Sequence, residues 1–321
     1  MFADSLISIV APLEGDSPDA VEAFVEETIA ILGGLVAHQE IVLVDDGAPE
    51  ATVARVRAML QRHDFLRFLR LSRHFGEETA ITAGLDVAIG DYVVVMLPSM
   101  DPPALIPEFL ERAAGGDADI VYGVRLHRDN EPSWYRTGAR VFYWYMNSVA
   151  KLGIPPDSTQ FRCMSRQVVN ALTQIRGPDQ YLRMLTSYIG FRKQPLPYAP
   201  INRSGTPTVR PKSDAVDLAR ALIIDSTAHP LRLVLWAGVA VAVLNLLLVI
   251  LHSAVGEIAG AAFHEAVIFV VLALMLAAVG EYVGSLSQRL RDRPAYYVRE
   301  EHTSSVLLRE ERRNVVGKTA E

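Results

Sequence analysis

A pair of adjacent carboxylates is the first group in the chain whose type and spacing could bind a ligand. Asp45 and Asp46, followed by Gly47, come directly after the apolar run EIVLV, which is typical of a buried strand. Carboxylates at the end of such a strand can accept hydrogen bonds from a nucleobase or a ribose hydroxyl. Because Asp-Gly is also common in simple turns, the segment supports both a nucleotide-binding and a turn interpretation.

Cationic residues follow two other apolar runs and suggest an anionic ligand. Arg73 and Gly76 lie between the run LRFLRL and the helical pattern GEETAITAGLDVAI, and the N-terminus of a helix favours anions. Arg125, Arg136 and Arg140 follow the run DIVYGV, where guanidinium groups could hold phosphates through paired hydrogen bonds. Taken singly, each of these arginines also fits an ordinary solvated surface residue.

A third candidate group lies beyond the run YVVVM. In an open α/β sheet, ligands bind in the crevice outside the carboxyl ends of the strands. The chain places Met96, Leu97 and Pro98 at this position and keeps a single carboxylate, Asp101, just before two prolines. The end of this strand is therefore largely apolar at a position where a charged ligand would bind.

The elements that must position these residues alternate along residues 1 to about 230. Short apolar runs such as LISIVAP predict strands, and segments with apolar residues three and four apart, such as DAVEAFVEETIAIL, predict helices. Strand–helix alternation at this spacing predicts right-handed βαβ units and a mostly parallel sheet in an α/β domain. Runs that are apolar throughout fit a sheet that is covered on both faces.

Two long apolar segments follow this domain and predict a transmembrane hairpin. Residues 233–253 hold no Asp, Glu, Lys or Arg, and residues 261 to about 286 contain the uncharged core AVIFVVLALMLAAVG. Each is long enough to cross a bilayer, which takes about 20 residues. Arginine and lysine residues flank the pair but not its short link, so the positive-inside rule predicts a cell-membrane protein with both the N-terminal domain and the C-terminus cytoplasmic. The alternative is a buried helical hairpin in a soluble protein.

The chain is thus predicted to have four parts. Residues 1–212 form the α/β domain, 213–230 an amphipathic helix, 231–288 the two transmembrane helices and 289–321 a cytoplasmic tail. The amphipathic helix either lies in the membrane interface or packs on the domain. The net charge of −6 argues against a nucleic-acid partner, and the single cysteine, Cys163, excludes an intrachain disulfide.

Several segments together resemble one family of membrane enzymes. They are LVDDGAPE, LSRHFGEETAITAGLDVAIGDYVVVM, DPPALIPEFLE, DIVYGVR, GIPPDSTQFRCMSRQVVNAL and GEYVGSLSQRLRDRPAYYV, in this order along nearly the whole chain. Their pattern resembles the polyprenyl-phosphate glycosyltransferases of glycosyltransferase family 2, which include bactoprenol glucosyltransferases and enzymes like dolichol-phosphate mannose synthase. The resemblance implies a Rossmann-like nucleotide-sugar domain of the GT-A type. It also implies transfer of a sugar from a nucleotide diphosphate to a membrane-embedded polyprenyl phosphate, usually with Mg²⁺ or Mn²⁺.

The same resemblance implies roles for individual residues. The nucleotide sugar would contact Pro12, Leu13, Glu14, Asp45, Asp46, Arg73 and Gly76. The acceptor phosphate would contact Arg125, Arg136, Arg140 and Arg203. The catalytic residues would be Asp101, Gln160 and Arg162, with Asp101 also the remaining candidate metal ligand. Relatives form homo-oligomers through the membrane hairpin, so the resemblance favours a homo-oligomer.

The chain departs from the family pattern at the metal motif. The family reads Asp-Ala-Asp-Leu-Gln-Asp-Pro-Pro at the strand end, and here Met96, Leu97 and Pro98 occupy the first three positions, so both metal-site aspartates are missing. Gln160 replaces a further aspartate of the family. Mg²⁺ is usually held by one or two carboxylates plus substrate phosphates, a role that methionine and proline cannot fill. Metal binding, which the resemblance implies, therefore conflicts with the residues present.

These departures leave two functions open. In the first, the chain is a working or weakened membrane glycosyltransferase. Its nucleophile would be a phosphate monoester whose second pKa is about 6, so the nucleophile is largely ionised at neutral pH and needs no strong base. In the second, the chain is a catalytically degenerate homologue that binds a nucleotide sugar or lipid phosphate as a scaffold subunit. The retained carboxylates favour the first function, and the missing ones favour the second.

Overall fold

The computed structural model describes residues 2, 5–126, 133–149, 155, 157–175, 181–203, 236, 238–244, 246–247, 250, 261–289 and 294–303. Strands and helices alternate along the first half of this chain, as the apolar pattern predicted. In chain order the elements are β1 (Leu6–Leu13), α1 (Pro18–Leu32), β2 (His38–Asp45), α2 (Glu50–Leu60), β3 (Leu66–Leu71), α3 (Glu77–Val87), β4 (Tyr92–Val95), α4 (Ile106–Ala114), β5 (Ile120–Arg125), α5 (Ser133–Trp144), β6 (Ser158–Ser165), α6 (Arg166–Gln174), α7 (Leu182–Tyr188), β7 (Lys193–Tyr198), α8 (Ala261–Arg289) and β8 (Val298–His302).

The strands form one eight-stranded mixed sheet in the order β7-β5-β6-β4-β1-β2-β3-β8. The pairs β1/β2, β1/β4, β2/β3 and β5/β7 are parallel, and β4/β6, β5/β6 and β3/β8 are antiparallel. Because parallel neighbours end at the same edge, the segments that follow β1, β2, β4 and β5 lie along one side of the sheet. The predicted α/β class with a mostly parallel sheet is confirmed.

Hydrophobic cores cover the two faces of this sheet. One core contains Phe24 of α1 and Phe109 of α4, and the other contains Ile81 of α3 and Val168 of α6. Successive residues of a strand point to opposite faces, so a strand buried on both sides must be apolar at consecutive positions. Strand β2, for example, is apolar and fully buried at each residue from Ile41 to Val44.

The last strand closes the far edge of the sheet with residues that follow α8. Strand β8 pairs antiparallel with β3, although more than 200 residues separate them in the sequence. Glu300 accepts a 2.7 Å hydrogen bond from Arg57, and the Tyr296 hydroxyl donates a 2.8 Å bond to Asp86. Part of the predicted cytoplasmic tail therefore belongs to the sheet domain.

The chain separates into two compact units. One contains all eight strands, and the other contains the described residues between positions 144 and 149 and between 236 and 289. Within the described part of the chain, no helix combines the length and apolarity that a membrane crossing requires. The predicted transmembrane hairpin is therefore not confirmed here, and the predicted amphipathic helix at 213–230 lies outside the described residues.

Gly84 of α3 provides a test of the packing between this helix and the sheet. A Cβ added at Gly84 would lie 2.3 Å from Cγ1 of Val10 and 3.2 Å from Cγ2 of Val44. We expect Gly84→Ala to lower the free energy of unfolding by about 1–3 kcal/mol, because the helix must move away from two buried strands. Thermal and urea unfolding of the purified full chain measure this loss.

The matched control is Gly34→Ala, whose added Cβ would meet no atom closer than 4.0 Å. It should change stability by no more than about 0.5 kcal/mol. Equal effects of the two substitutions would show that the close approach of α3 to the sheet is not what Gly84 provides.

Candidate functional site

The ends of β1 and β2 bring together most of the residues predicted to contact a nucleoside. Pro12 and Leu13 pair in register with Val44 and Asp45, and the backbone N–H of Asp46 donates a 2.9 Å hydrogen bond to the carbonyl of Leu13. Glu14, the next residue in the chain, is exposed. The parallel sheet therefore assembles this predicted group at one edge, as expected for a ligand-binding crevice.

Asp45 is almost fully buried, and protein donors bind both of its carboxylate oxygens. Its Oδ1 accepts hydrogen bonds from the backbone N–H groups of Gly47 (3.0 Å) and Ala48 (2.8 Å), and its Oδ2 lies 3.0 Å from Nε of Arg70. Gly47 has a φ of +99°, which favours glycine. The turn interpretation therefore describes this residue, and its contact with a nucleoside stays a prediction.

Asp46 connects the end of β2 to the loop before α3. Its Oδ1 accepts a 2.7 Å bond from the N–H of Phe75, and its Oδ2 accepts a 2.6 Å bond from the N–H of Gly76. Burial raises the pKa of this carboxyl, against the effect of those two donors. The backbone carbonyl of Asp46 lies 2.9 Å from Nδ1 of His74, and this hydrogen bond raises the pKa of the imidazole.

The loop that Asp46 holds carries an exposed cation. The Arg73 guanidinium lies 4.4 Å from the centre of the Phe75 ring, a distance typical of a cation–π contact. Gly76 has a φ of +101° and precedes the first residue of α3. The predicted pair of Arg73 and Gly76 thus lies at a helix N-terminus beside the end of β2.

The loop after β4 differs from a ligand-binding carboxylate motif. Met96 is fully buried in the core, and only 1% of Asp101 is exposed. Asp101 accepts a 2.5 Å hydrogen bond from the Tyr198 hydroxyl through Oδ1 and a 2.8 Å bond from the N–H of Leu97 through Oδ2. Burial raises the pKa of this carboxyl to about 6. The buried carboxylate of Asp101 therefore holds the loop after β4 in place through its hydrogen bonds to Leu97 and Tyr198.

Arg203, predicted to meet the acceptor phosphate, binds the same loop. Its Nη1 donates a 2.7 Å hydrogen bond to the carbonyl of Pro98, and its Nη2 donates to the Glu27 carboxylate. Its own backbone N–H donates a 3.0 Å bond to the carbonyl of Ser99. The Arg203 guanidinium thus donates hydrogen bonds to protein acceptors, and its contact with an acceptor phosphate stays a prediction.

The residues at the β4 end do not fit the divalent cation that the family pattern implies. Met96 offers a buried thioether, the carbonyl of Pro98 accepts from Arg203, and both oxygens of Asp101 accept from protein donors. Mg²⁺ and Mn²⁺ prefer carboxylate oxygens and water. Among the described residues, no group of three or more His, Cys, Asp or Glu side chains is arranged to hold a metal ion.

Gln160 belongs to a second polar cluster, beside α3 and α7. Its Nε2 donates to Oε1 of Glu78, and the N–H of Leu182 donates a 3.0 Å bond to Oε2 of the same carboxylate. Burial raises the pKa of Glu78. The amide at position 160 thus provides the donor that this buried carboxylate needs, which an ionised aspartate would not.

Arg162 lies in the same cluster and is also buried. Its Nε donates a 3.2 Å bond to the carbonyl of Thr159, and its Nη1 donates to the Thr186 hydroxyl. Burial lowers the pKa of the guanidinium to about 9. Within the described part of the chain its Nη2 has no hydrogen-bond partner.

The structure does not bring the three predicted catalytic residues together. The Tyr198 hydroxyl forms hydrogen bonds with both Asp101 and Thr159, and its distance to Oγ1 of Thr159 is 3.2 Å. Gln160 and Arg162 alternate with Thr159 along β6, so they face the opposite side of the sheet. Asp101 thus lies on one face of the sheet, and Gln160 and Arg162 lie on the opposite face.

The arginines predicted for the acceptor phosphate lie at and beyond the end of β5. Arg125 is the last residue of β5, and its Nε is buried without a hydrogen-bond partner among the described residues. Arg140 is exposed on α5, and the side chain of Arg136 lies outside what the structure describes.

Sequence reasoning missed two residues that the structure places in these clusters. Tyr198 comes 97 positions after Asp101, and Glu78 comes 82 positions before Gln160. The one signal in the sequence was the pairing of Glu77 with Glu78 at the start of a helix, where acidic residues are common for another reason.

Comparison with known proteins gives a consistent picture. The family model described as "Glycosyl transferase family 2" matches residues 19–173. An uncharacterised glycosyltransferase of Synechocystis is 28% identical, with 91% of this chain and 94% of that protein covered. The SfII prophage-derived bactoprenol glucosyl transferase of Shigella flexneri is 26% identical, over 92% of this chain and 98% of that protein.

A solved structure supports the fold. Glucosyl-3-phosphoglycerate synthase from Mycobacterium tuberculosis, in complex with Mn²⁺, UDP and phosphoglyceric acid, superposes with a TM-score of 0.51 at 17% identity. The match covers 69% of this chain and 77% of the synthase. At this identity the likeness concerns the GT-A-like fold alone.

Tyr198→Phe tests the buried bond to Asp101. The pKa of about 6 lies above the value of about 3.9 for an unfolded aspartate, so the native state binds the proton more tightly and ionisation costs stability as pH rises through this window. The hydroxyl stabilises the ionised form. We expect Tyr198→Phe to lower the free energy of unfolding by about 1–3 kcal/mol at pH 7.5 and by less at pH 5.

Urea unfolding of the full chain at both pH values measures the difference. Tyr188→Phe is the matched control, because Tyr188 is 79% exposed. A loss in Tyr198→Phe that is equal at both pH values would mean that the hydroxyl does not act through the carboxylate.

Proposed function

Because the chain belongs to glycosyltransferase family 2, we propose that it is a membrane-bound enzyme that moves a sugar from a nucleotide-diphospho-sugar to a polyprenyl phosphate on the cytoplasmic face. The observation that carries this proposal is the likeness to a bactoprenol glucosyl transferase over 92% of this chain and 98% of that protein. A match of this extent includes the apolar segments after residue 230 as well as the sheet domain.

The reaction that we propose needs little from a base. An oxygen of the acceptor phosphate forms a bond to the anomeric carbon of the sugar, and the bond from that carbon to the diphosphate breaks. Because the acceptor phosphate is largely dianionic at neutral pH, no proton has to leave the nucleophile. Gln160, in place of the family aspartate, is therefore compatible with transfer.

The donor nucleotide, in this proposal, binds over the ends of β1 and β2. Asp46 holds the loop that presents Arg73, and α3 begins directly after this loop. The N-terminus of a helix carries a partial positive charge that favours phosphate oxygens. These features support a nucleotide at this edge, with its nucleoside near Pro12, Leu13 and Glu14 and its phosphates toward Arg73.

The lipid phosphate, in this proposal, binds beside α5. Arg140 is exposed on this helix, and the neighbouring Val141 is 59% exposed. A surface that combines an arginine with apolar side chains suits an anionic headgroup on a hydrocarbon chain. Arg136, one turn earlier on α5, is proposed to contact the same phosphate.

The membrane hairpin also belongs to the proposal. Helix α8 (Ala261–Arg289) exposes large apolar side chains, including Phe269 at 72% and Leu276 at 75%, and such side chains are better placed in lipid than in water. Strand β8 follows α8 and pairs with β3, so the chain must return to the side from which it left. That return supports an even number of crossings. A homo-oligomer formed through the hairpin stays a prediction.

The second candidate function is a binding or scaffold subunit without turnover. The observation that favours it is the loop after β4, where Asp101 is the one acid kept from the family motif and is consumed by protein donors. In this case the chain would bind a nucleotide sugar or a lipid phosphate without transferring the sugar.

A transfer assay separates the two functions. Purified full-length protein is incubated with undecaprenyl phosphate and, in turn, with labelled UDP-glucose, UDP-N-acetylglucosamine and GDP-mannose. We expect labelled lipid from at least one donor. Arg140→Gln should raise the KM for undecaprenyl phosphate about tenfold and leave kcat nearly unchanged, since a charge-assisted hydrogen bond to the acceptor is lost.

Arg112→Gln is the matched control for this variant. Arg112 lies on α4, where it pairs with Glu108 at 2.6 Å, and its loss should leave KM unchanged. Nucleotide-sugar binding without transfer from any donor would support the scaffold function.

Single-cysteine labelling tests the membrane topology. In a Cys163→Ala background, Gly256→Cys lies in the predicted link and Lys318→Cys in the predicted tail, both outside the described residues. A membrane-impermeant maleimide added to intact cells should label position 256 and not position 318, because the positive-inside rule places only the link outside. Labelling of both positions, or of 318 alone, would contradict the hairpin.

A further inference from the structure

Hydrogen bonds from Ile201 and Arg203 hold the loop after β4. The N–H of Ile201 donates a 2.8 Å hydrogen bond to the carbonyl of Met100, and the N–H of Arg203 donates a 3.0 Å bond to that of Ser99. The Arg203 side chain adds its bond to the carbonyl of Pro98. Protein donors therefore occupy the carbonyl groups of Pro98, Ser99 and Met100.

The same loop is poorly suited to take up an ion when a nucleotide arrives. Met96 would have to leave the core, and Asp101 would have to break its bonds to Tyr198 and Leu97. Breaking either bond leaves a buried polar group without a partner, which is unfavourable in a protein interior. The donor diphosphate must therefore find its positive charge elsewhere on the chain.

Arg125 lies on the face of the sheet that carries this loop. Arg125 pairs in register with Tyr198 across β5 and β7, and Gly123, two residues earlier on β5, points to the same face. A Cβ at Gly123 would come within 2.6 Å of the Tyr198 ring, so the absent side chain lets that ring cross β5 toward Asp101. Arg125 is thus adjacent to Tyr198, whose hydroxyl is bonded to Asp101.

The Arg125 guanidinium provides positive charge near the loop after β4. Its Nε is buried and has no hydrogen-bond partner among the described residues. Its positive charge lowers the pKa of Asp101 and that of Tyr198, against the larger effect of burial in both cases. The charge of Arg125 therefore reaches the loop, and among the described residues no carboxylate forms a direct ion pair with it.

We infer that Arg125, and not a divalent cation, supplies the positive charge that faces the donor diphosphate. The inference rests on the proposed function and adds Arg125 to its donor site, whereas the family resemblance gave Arg125 to the acceptor phosphate. Both phosphates offer the same chemistry to a guanidinium, namely anionic oxygens that accept paired hydrogen bonds. The experiment must therefore titrate donor and acceptor separately.

Binding measurements on the purified full chain test the inference. UDP and GDP are titrated by calorimetry in EDTA and again in Mn²⁺, and undecaprenyl phosphate in detergent is titrated in EDTA. We expect the affinity for the better nucleotide to be the same in EDTA and in Mn²⁺. Arg125→Gln should weaken nucleotide binding about 10- to 100-fold in EDTA, and Arg125→Lys should restore part of it.

Electron paramagnetic resonance of Mn²⁺ gives a readout that does not depend on activity. Protein added to Mn²⁺ and UDP should leave the spectrum as it is without protein. Arg112→Gln, a surface substitution on α4, is the control and should bind nucleotide like the original chain.

Three results would overturn the inference. One is a nucleotide affinity that Mn²⁺ raises tenfold or more, with Mn²⁺ immobilised on the protein. Another is an Arg125→Gln variant that loses affinity for undecaprenyl phosphate alone. The last is the absence of nucleotide binding in both EDTA and Mn²⁺. This result would also contradict the proposed donor, and it is distinguished from the first two because neither Mn²⁺ nor substitution of Arg125 then changes nucleotide binding. A variant that fails to fold is identified by its unfolding curve, and Arg125→Lys then provides the decisive comparison.

Discussion

The burial of three carboxylates at the ligand-facing edge of the sheet is the constraint on which the rest of the site depends. A buried charge is tolerated only when protein donors satisfy it, and Asp45, Asp46 and Asp101 each have both oxygens bound. These bonds build the loops after β2 and β4 and the start of α3. The carboxylates therefore form the framework of the candidate donor site, and in the proposed function cationic side chains on that framework meet the phosphates.

The alternation of side chains along β6 divides the polar residues into two clusters on opposite faces of the sheet. Thr159 belongs with Asp101 and Tyr198, on the face of the candidate donor site. Gln160 and Arg162 belong with Glu78 on the other face, beneath α3 and α7. The replacement of an aspartate by Gln160 then has a physical reason, since an amide can donate to Glu78 where a second carboxylate would repel it.

The pairing of β8 with β3 adds a segment from near the end of the chain to the sheet. Contacts such as those of Glu300 with Arg57 and of Tyr296 with Asp86 anchor the chain directly after α8. Residues that would otherwise form an unattached tail cover the edge of the sheet, where exposed backbone groups would invite pairing with other chains. The sheet thus includes residues from both sides of the proposed hairpin.

The sequence by itself predicted the α/β class, the mostly parallel sheet and the resemblance to glycosyltransferase family 2, because local periodicity and short motifs encode these features. It also showed Met96 and Pro98 at positions where the pattern of that family has aspartates. Only the tertiary structure decided what the retained residues do. Tyr198 reaches Asp101 because β7 lies beside β5 and Gly123 leaves room between them, and no local pattern encodes that arrangement. Nor could the sequence predict that Asp101 and Gln160 face opposite sides of one sheet, because this depends on the register and neighbours of β6, which distant segments set.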